Sequence, residues 1–272
     1  MGNALRSLKK IWVLNFARRL FNASKVYNKK YSQIIKWGFA SKEDTNYTYN
    51  LTDDNIIYLA QTISFITKTD YNEILGYMKE AEANTDLKNL IIATTKNSEL
   101  SRYADKEVRF GKRLGWYAFV RALKPKVVIE TGIDKGLGSV LLCAALEKNA
   151  EEGNIGQYYG TDINPKAGYL LNDKYKKFGT ILYGDSIASL SNFKDKIDIF
   201  INDSDHSADY EYREYNTIKP LLKESTLILG DNSHATNKLS QFSLENNRQF
   251  IFFQEVPANH WYPGGGIGIS FN

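Results

Sequence analysis

Two acidic clusters lie close together in the last third of the chain: Asn202-Asp203-Ser204-Asp205-His206 and Gly230-Asp231-Asn232. Carboxylate and amide oxygens are the ligands that hard divalent cations take, and an imidazole titrating near neutrality is a ready proton acceptor. Asp203, Asp205, Asp231, Asn232 and His206 therefore compose a metal-and-base site if the fold brings them together. The bland alternative is local: Asp203 and Asp205 also suit the N-cap of a following helix, and Asp231-Asn232 suits a simple turn.

The elements that must position these residues are legible around them. Each cluster directly follows a short apolar, β-branched run, Ile197 to Ile201 and Thr226 to Leu229. Such runs read as buried strands of a parallel sheet, and in open α/β sheets ligands collect at the carboxyl ends of the strands. Three more runs precede them, Val127 to Glu130, Tyr158 to Thr161 and Thr180 to Tyr183, with helical stretches predicted at 137–149, 165–177, 186–193 and 208–223. The alternation predicts an α/β fold, a doubly wound and mostly parallel sheet. Phe250 to Val256 and Ile267 to Phe271 follow with no helix between them, which predicts an antiparallel ending. Before residue 105 the pattern is helical, with starts near Asp53, Tyr71 and Leu87. We therefore divide the chain into a helical extension, 1–105, and a catalytic domain, 106–272.

Bulk properties narrow the class. The chain has 272 residues, 43% hydrophobic and 24% charged, ordinary for a globular protein. Its one cysteine, Cys143, sits among apolar residues and reads as a buried thiol, so no disulfide framework is expected and a cytoplasmic location fits. The net charge of +4 hides an asymmetry: residues 1–42 contain ten Lys or Arg and no Asp or Glu, while the rest of the chain is net acidic. Leu5 to Phe21 alternates apolar and basic residues at helical spacing, a basic amphipathic start suited to peripheral membrane contact or to packing on a partner or second subunit. It does not read as a secretory signal or a myristoylation site, and no run is long enough to span a bilayer. Nucleic acid is not expected as a partner, because no basic, aromatic-interleaved strip accompanies the acidic rim.

The first three strands carry nucleoside chemistry. After Glu130 come Thr131, Gly132, Gly136 and Gly138, glycines that let backbone turn tightly and approach a ligand at a helix start. Asp162, ending the second strand, is placed to accept ribose hydroxyls. Asp185 and Ser186 end the third, beside where a purine would lie. Thr131-Gly132-x-x-x-Gly136-x-Gly138 with Tyr215-x-x-x-Lys219 also resembles the short-chain dehydrogenase pattern. Against that reading, more than a hundred residues precede the loop, the Tyr–Lys pair follows it too closely, and two acidic clusters are left without a role.

Residues 108–271 resemble the class I S-adenosylmethionine-dependent methyltransferases, on Glu130-x-Gly132, Gly136, Asp162, Asp185 and the antiparallel end. Within that class, Asp203-Ser204-Asp205-His206 with Gly230-Asp231-Asn232 is similar to the metal-dependent O-methyltransferases of catechol, caffeoyl-CoA and macrocin types. The resemblance implies a Rossmann-like, seven-stranded sheet. It implies S-adenosylmethionine held by Glu130, Thr131, Gly132, Gly136, Asp162, Asp185, Ser186 and Asp203, and Mg²⁺ held by Asp203, Asp231 and Asn232. Asp203 and His206 would be the catalytic pair. His206 stands where the sugar-modifying branch has a histidine and the catechol branch a lysine, which points to a sugar hydroxyl as acceptor. A phenolic or other small-molecule acceptor, and a domain that binds the cofactor without catalysis, are the alternatives. Asp205, His234, His260, Trp261 and Tyr262 are candidate substrate contacts near the same rim, and Arg113 and Trp116 are weaker candidates for cofactor or acceptor contact.

Overall fold

The computed structural model describes residues 11–44, 46–205 and 207–272. Among them, seven strands form one sheet: β1 (Val127–Thr131), β2 (Gln157–Asp162), β3 (Gly179–Tyr183), β4 (Ile197–Asn202), β5 (Leu222–Gly230), β6 (Gln249–Gln254) and β7 (Gly266–Phe271). Their spatial order is β3-β2-β1-β4-β5-β7-β6. The first five run parallel, while β7 pairs antiparallel with both β5 and β6. The order reverses between β1 and β4, and such a switch point opens a crevice above the strand ends. This is the doubly wound, mostly parallel sheet that the strand pattern predicts, down to the antiparallel ending, with the seven strands that the resemblance implies.

The helices are α1 (Trp12–Ala40), α2 (Asp53–Thr67), α3 (Tyr71–Ala83), α4 (Thr85–Lys96), α5 (Arg113–Leu123), α6 (Leu137–Glu151), α7 (Ser186–Asn192), α8 (Ala208–Ile218) and α9 (Lys238–Glu245). Their starts obey local chemistry. Asp70 caps α3 by accepting from the backbone N–H groups of Asn72 and Glu73, and Asn84 caps α4 through Leu87. The crossover helix α6 is apolar nearly all round because the sheet covers one side and α5 the other. One contiguous core joins Leu59, Ile63, Ile74 and Met78 of α2 and α3 to Trp116 and Phe119 of α5 and Leu141 of α6. The helical extension thus packs on the outer face of α5 and shares the sheet's apolar interior.

Three local expectations fail for identifiable reasons. The stretch 165–177 holds no α-helix: turns lead into a short 3₁₀ segment, Asp173–Phe178. Pro165 and Gly168 break the helical run there. Gly168 has φ +74, and an added Cβ would strike the Ile181 side chain. The helix expected over 208–223 stops at Ile218, because Pro220 lacks an N–H and Leu222 already belongs to β5. Strand β6 ends at Gln254, freeing Glu255 to turn inward. Helices α5 and α9 escaped the sequence reading.

Candidate active site

A cleft of about 770 Å³ opens over the carboxyl ends of β1 to β5. Gly132 to Lys135 and Leu137 after β1, Asp162 at the end of β2, Gly184 to Ser186 after β3, Asp203 to Asp205 after β4 and Asp231 after β5 all line it. Both acidic clusters therefore reach one space, through Asp203 to Asp205 and through Asp231, together with the glycine loop, whereas Gly136, Asn202 and Asn232 do not line it. His206 lies outside the described residues.

The cofactor half is built by the turn after β1. Gly132 takes φ +76 and lies so close to the Asp203 carbonyl oxygen that a Cβ would collide with it. Gly136, at φ +88, starts α6 against Gly168. Asp162 supports this turn: Oδ2 accepts the Asp134 N–H at 3.0 Å, and Oδ1 accepts that of Asn164 at 2.8 Å. Asp185 caps α7 through the Ala188 N–H at 2.8 Å and also accepts the Tyr210 hydroxyl at 2.9 Å. These two hydrogen bonds hold its carboxyl below the ordinary range. Glu130 forms the floor. It accepts from Tyr158 and Ser139, and burial lifts its carboxyl to about 7. Thr131 does not reach the cleft, because its hydroxyl donates to Glu214 at 3.2 Å in the interior.

The acidic half contains two cations, Lys112, which the sequence reading did not assign, and Arg113, which it named as a weaker contact. Lys112 Nζ lies 2.7 Å from Asp231 Oδ1, 3.5 Å from Glu255 Oε1 and 3.1 Å from the Gly266 carbonyl. Arg113 Nη2 lies 3.8 Å from Asp203 Oδ2 and its guanidinium packs over Trp116. Burial pushes the Asp203 carboxyl well above its usual range, and the Asp231 charge adds to this against Arg113 and Lys112. Burial acts the same way on Asp231, but Lys112 and Arg113 outweigh it and hold that carboxyl low. Lys112 is kept charged by Asp231 and Glu255 in spite of burial. Four carboxyl groups, Glu130, Asp203, Asp231 and Glu255, thus share this end of the cleft with two cations, and burial favours the neutral forms of Glu130 and Asp203.

Among the described residues no three His, Cys, Asp or Glu side chains are grouped to hold an ion. A donor set of two carboxylates would need an amide as its third member. Asn232 is fully buried directly after Asp231, and both its side-chain polar atoms lack partners. Buried amides rarely stay unpaired without cause. Asp203, Asp231 and Asn232 are therefore oxygen donors of a kind that fits a hard divalent cation, although Lys112 holds one oxygen of Asp231.

The candidate substrate contacts divide. Asp205, His234 and Tyr262 line the cleft. His260 and Trp261 do not: they pack against Trp37 of α1 and Tyr47, with ring centroids 6.2 and 5.4 Å from Trp37. Their place in the wall falls to Tyr47 and Tyr49, from the segment after α1, beside Tyr262. Sequence reasoning also missed Glu214, a buried carboxylate on α8 that accepts from Thr131, Ser186, Asn202 and Ser204 and so ties together the ends of β1, β3 and β4. The available signal was an acidic residue on the apolar face of a helix. Tyr215, the would-be dehydrogenase tyrosine, is fully buried and donates to Glu211 at 2.7 Å, away from the cleft.

With this geometry in place, comparison with known proteins gives a consistent picture. Residues 129–233, from β1 to the turn after β5, match a family described as a methyltransferase domain. No curated protein matches the chain. Among solved structures, an O-methyltransferase from Bacillus cereus in complex with SAH aligns at 12% identity over 73% of this chain and 100% of that one, with a TM-score of 0.50. A methyltransferase from Geobacter sulfurreducens aligns at 17% identity over 68% and 90%, TM-score 0.49. TomG, an O-methyltransferase from Streptomyces achromogenes involved in tomaymycin synthesis, solved with SAM, aligns at 11% identity over 67% and 88%, TM-score 0.49. The segment 129–233 thus matches a methyltransferase-domain family, and the sheet has the fold of the Bacillus cereus enzyme.

Proposed function

We propose that this methyltransferase domain moves the methyl group of S-adenosylmethionine to a hydroxyl of a sugar, nucleotide-sugar or glycoconjugate precursor, with Mg²⁺ at the acidic rim. The observation that carries the reading is the convergence of the Gly132–Lys135 turn, Asp162, Asp185 and the carboxylates of Asp203 and Asp231 on one cleft. The Bacillus cereus structure of the same fold, solved with SAH, supports the choice of cofactor.

When bound, the cofactor would supply a methyl on a sulfonium, and the cation would polarise the acceptor hydroxyl. The chain's own residues supply position. The tight turn at Gly132 brings backbone close to the ligand, and Asp162 presents a carboxylate to ribose hydroxyls. Asp185 and Ser186 border the base. Asp203, Asp231 and Asn232 would hold the cation, and His206 would take the acceptor proton, a role assigned from its sequence position. Tyr47, Tyr49 and Tyr262 offer flat faces beside this rim, which suit the apolar face of a sugar ring. The same faces would stack on a phenol, so a phenolic or other small-molecule acceptor is the second reading.

Calorimetry with S-adenosylhomocysteine, with and without Mg²⁺, tests the cofactor half: absence of binding in both conditions defeats the proposal. Labelled S-adenosylmethionine offered with nucleotide-sugars and with phenols, read by mass, separates the acceptor classes. Unchanged methyl transfer in excess EDTA, with a fully active Asp203→Ala enzyme, would remove the cation.

A further inference from the structure

Helix α1 runs for 29 residues, and none of its side chains is buried. At 100° per residue its apolar residues sweep a broad arc through Trp12, Phe16, Leu20, Val13, Phe21 and Leu14. The six are between 48% and 76% exposed. Arg18, Lys25, Lys29 and Lys36 border this arc on one side and Arg19 on the other, and the helix contains no acidic residue. Only its last turns are tied to the fold. Lys30 Nζ donates to the Trp261 carbonyl at 3.3 Å, and Trp37 packs edge-on against Tyr47 at 5.3 Å.

An apolar strip of this length, left in water, marks a docking face. We infer that α1 lies on the surface of an anionic lipid bilayer, its apolar arc at the acyl boundary and its bordering cations among the headgroups. Charge decides the occupant. A second copy meeting the same face would bring the same cations with no carboxylate on the helix to answer them, whereas anionic headgroups neutralise both borders at once. No described helix is long and apolar enough to cross the membrane, so the contact is peripheral. Because Trp37 packs on Tyr47, a docked helix holds the aromatic wall of the cleft within about one helix diameter, ~10 Å, of the lipid.

Flotation of the full chain with vesicles of pure phosphatidylcholine, and with vesicles containing phosphatidylglycerol, tests the inference. The expected result is partitioning onto the anionic vesicles at least about tenfold above the neutral ones, weakening as salt rises. Two exposed-face variants should each abolish it: Phe16→Asp with Leu20→Asp, and Arg18→Glu with Lys25→Glu and Lys29→Glu. Both should bind S-adenosylhomocysteine as the parent chain does, which shows that the fold survives. Equal binding to both vesicle types overturns the inference. So does a chain that ignores vesicles but forms a dimer, by analytical ultracentrifugation, that Phe16→Asp with Leu20→Asp dissolves.

Discussion

The Lys112 ammonium sits 2.7 Å from Asp231 Oδ1, in the floor of the cleft and with Glu255 on its other side. The residue just before α5 thus places a buried cation inside the acidic rim that the strand ends create. Breaking a buried pair by removing one partner leaves an uncompensated charge, at a cost of about 3–5 kcal/mol. Lys112→Met should lose stability of that order in denaturant melts, and millimolar Mg²⁺ should return part of it by supplying the missing charge. A loss below about 1 kcal/mol would mean that Asp231 is not compensated by Lys112.

Glu214 is a second consequence of packing. Glu214→Ala would strand the donors of Thr131 and Asn202 in the interior and take one partner from Ser186 and Ser204. Each unsatisfied group costs about 1–3 kcal/mol. Since those donors sit at the ends of β1, β3 and β4, affinity for S-adenosylhomocysteine should fall at least about tenfold, with Glu214→Gln milder. Unchanged calorimetric affinity in both variants would rule out the carboxylate as organiser of the rim.

Stability should depend on pH through Glu130. Its carboxyl is lifted by burial from 4.5 to about 7 in the folded chain. Between those values the unfolded chain releases a proton that the folded one keeps, so the contribution is complete below pH 4.5 and is lost as pH rises through 7. The shift corresponds to about 3 kcal/mol. Glu130→Gln should flatten that part of the curve, which paired urea titrations of parent and variant across the window would show. Parallel curves would contradict the assignment.

Two glycines separate collision from strain. Gly132 and Gly153 both have positive φ, +76 and +87, but only Gly132 has backbone in the path of a Cβ. Gly153→Ala should cost about 1–2 kcal/mol for the left-handed conformation alone. Gly132→Ala must also push back the Asp203 backbone, so it should cost more and abolish S-adenosylhomocysteine binding. Equal melting temperatures for the two would refute the close approach of the strand ends.

The fold was largely readable because parallel strands buried on both faces must be continuous apolar runs, as β1, β4 and the second half of β5 are, while the less buried β2 and β3 were read from the strand–helix alternation. The antiparallel ending was equally plain, since no helical stretch was read between its two strands. Asp162, Asp185, Asp203 and Asp231 were found for the same reason: a polar residue ending a buried strand has one rim to face. Helix α5 was missed although its sequence keeps an amphipathic period; in the fold Leu114 to Arg121 are all buried. His260 and Trp261 were misplaced because a sequence cannot say that Trp37, more than two hundred residues earlier, covers them.

By itself, the sequence determined what is local and periodic: the strands, the turn at Gly132 and the carboxylates at the rim. The tertiary structure alone decided which charges meet. Lys112, Asp231 and Glu255 come from the start of α5, the end of β5 and the loop after β6, and no spacing along the chain relates them. Coulomb interaction depends on distance and on exclusion of water, and both are properties of the packed interior.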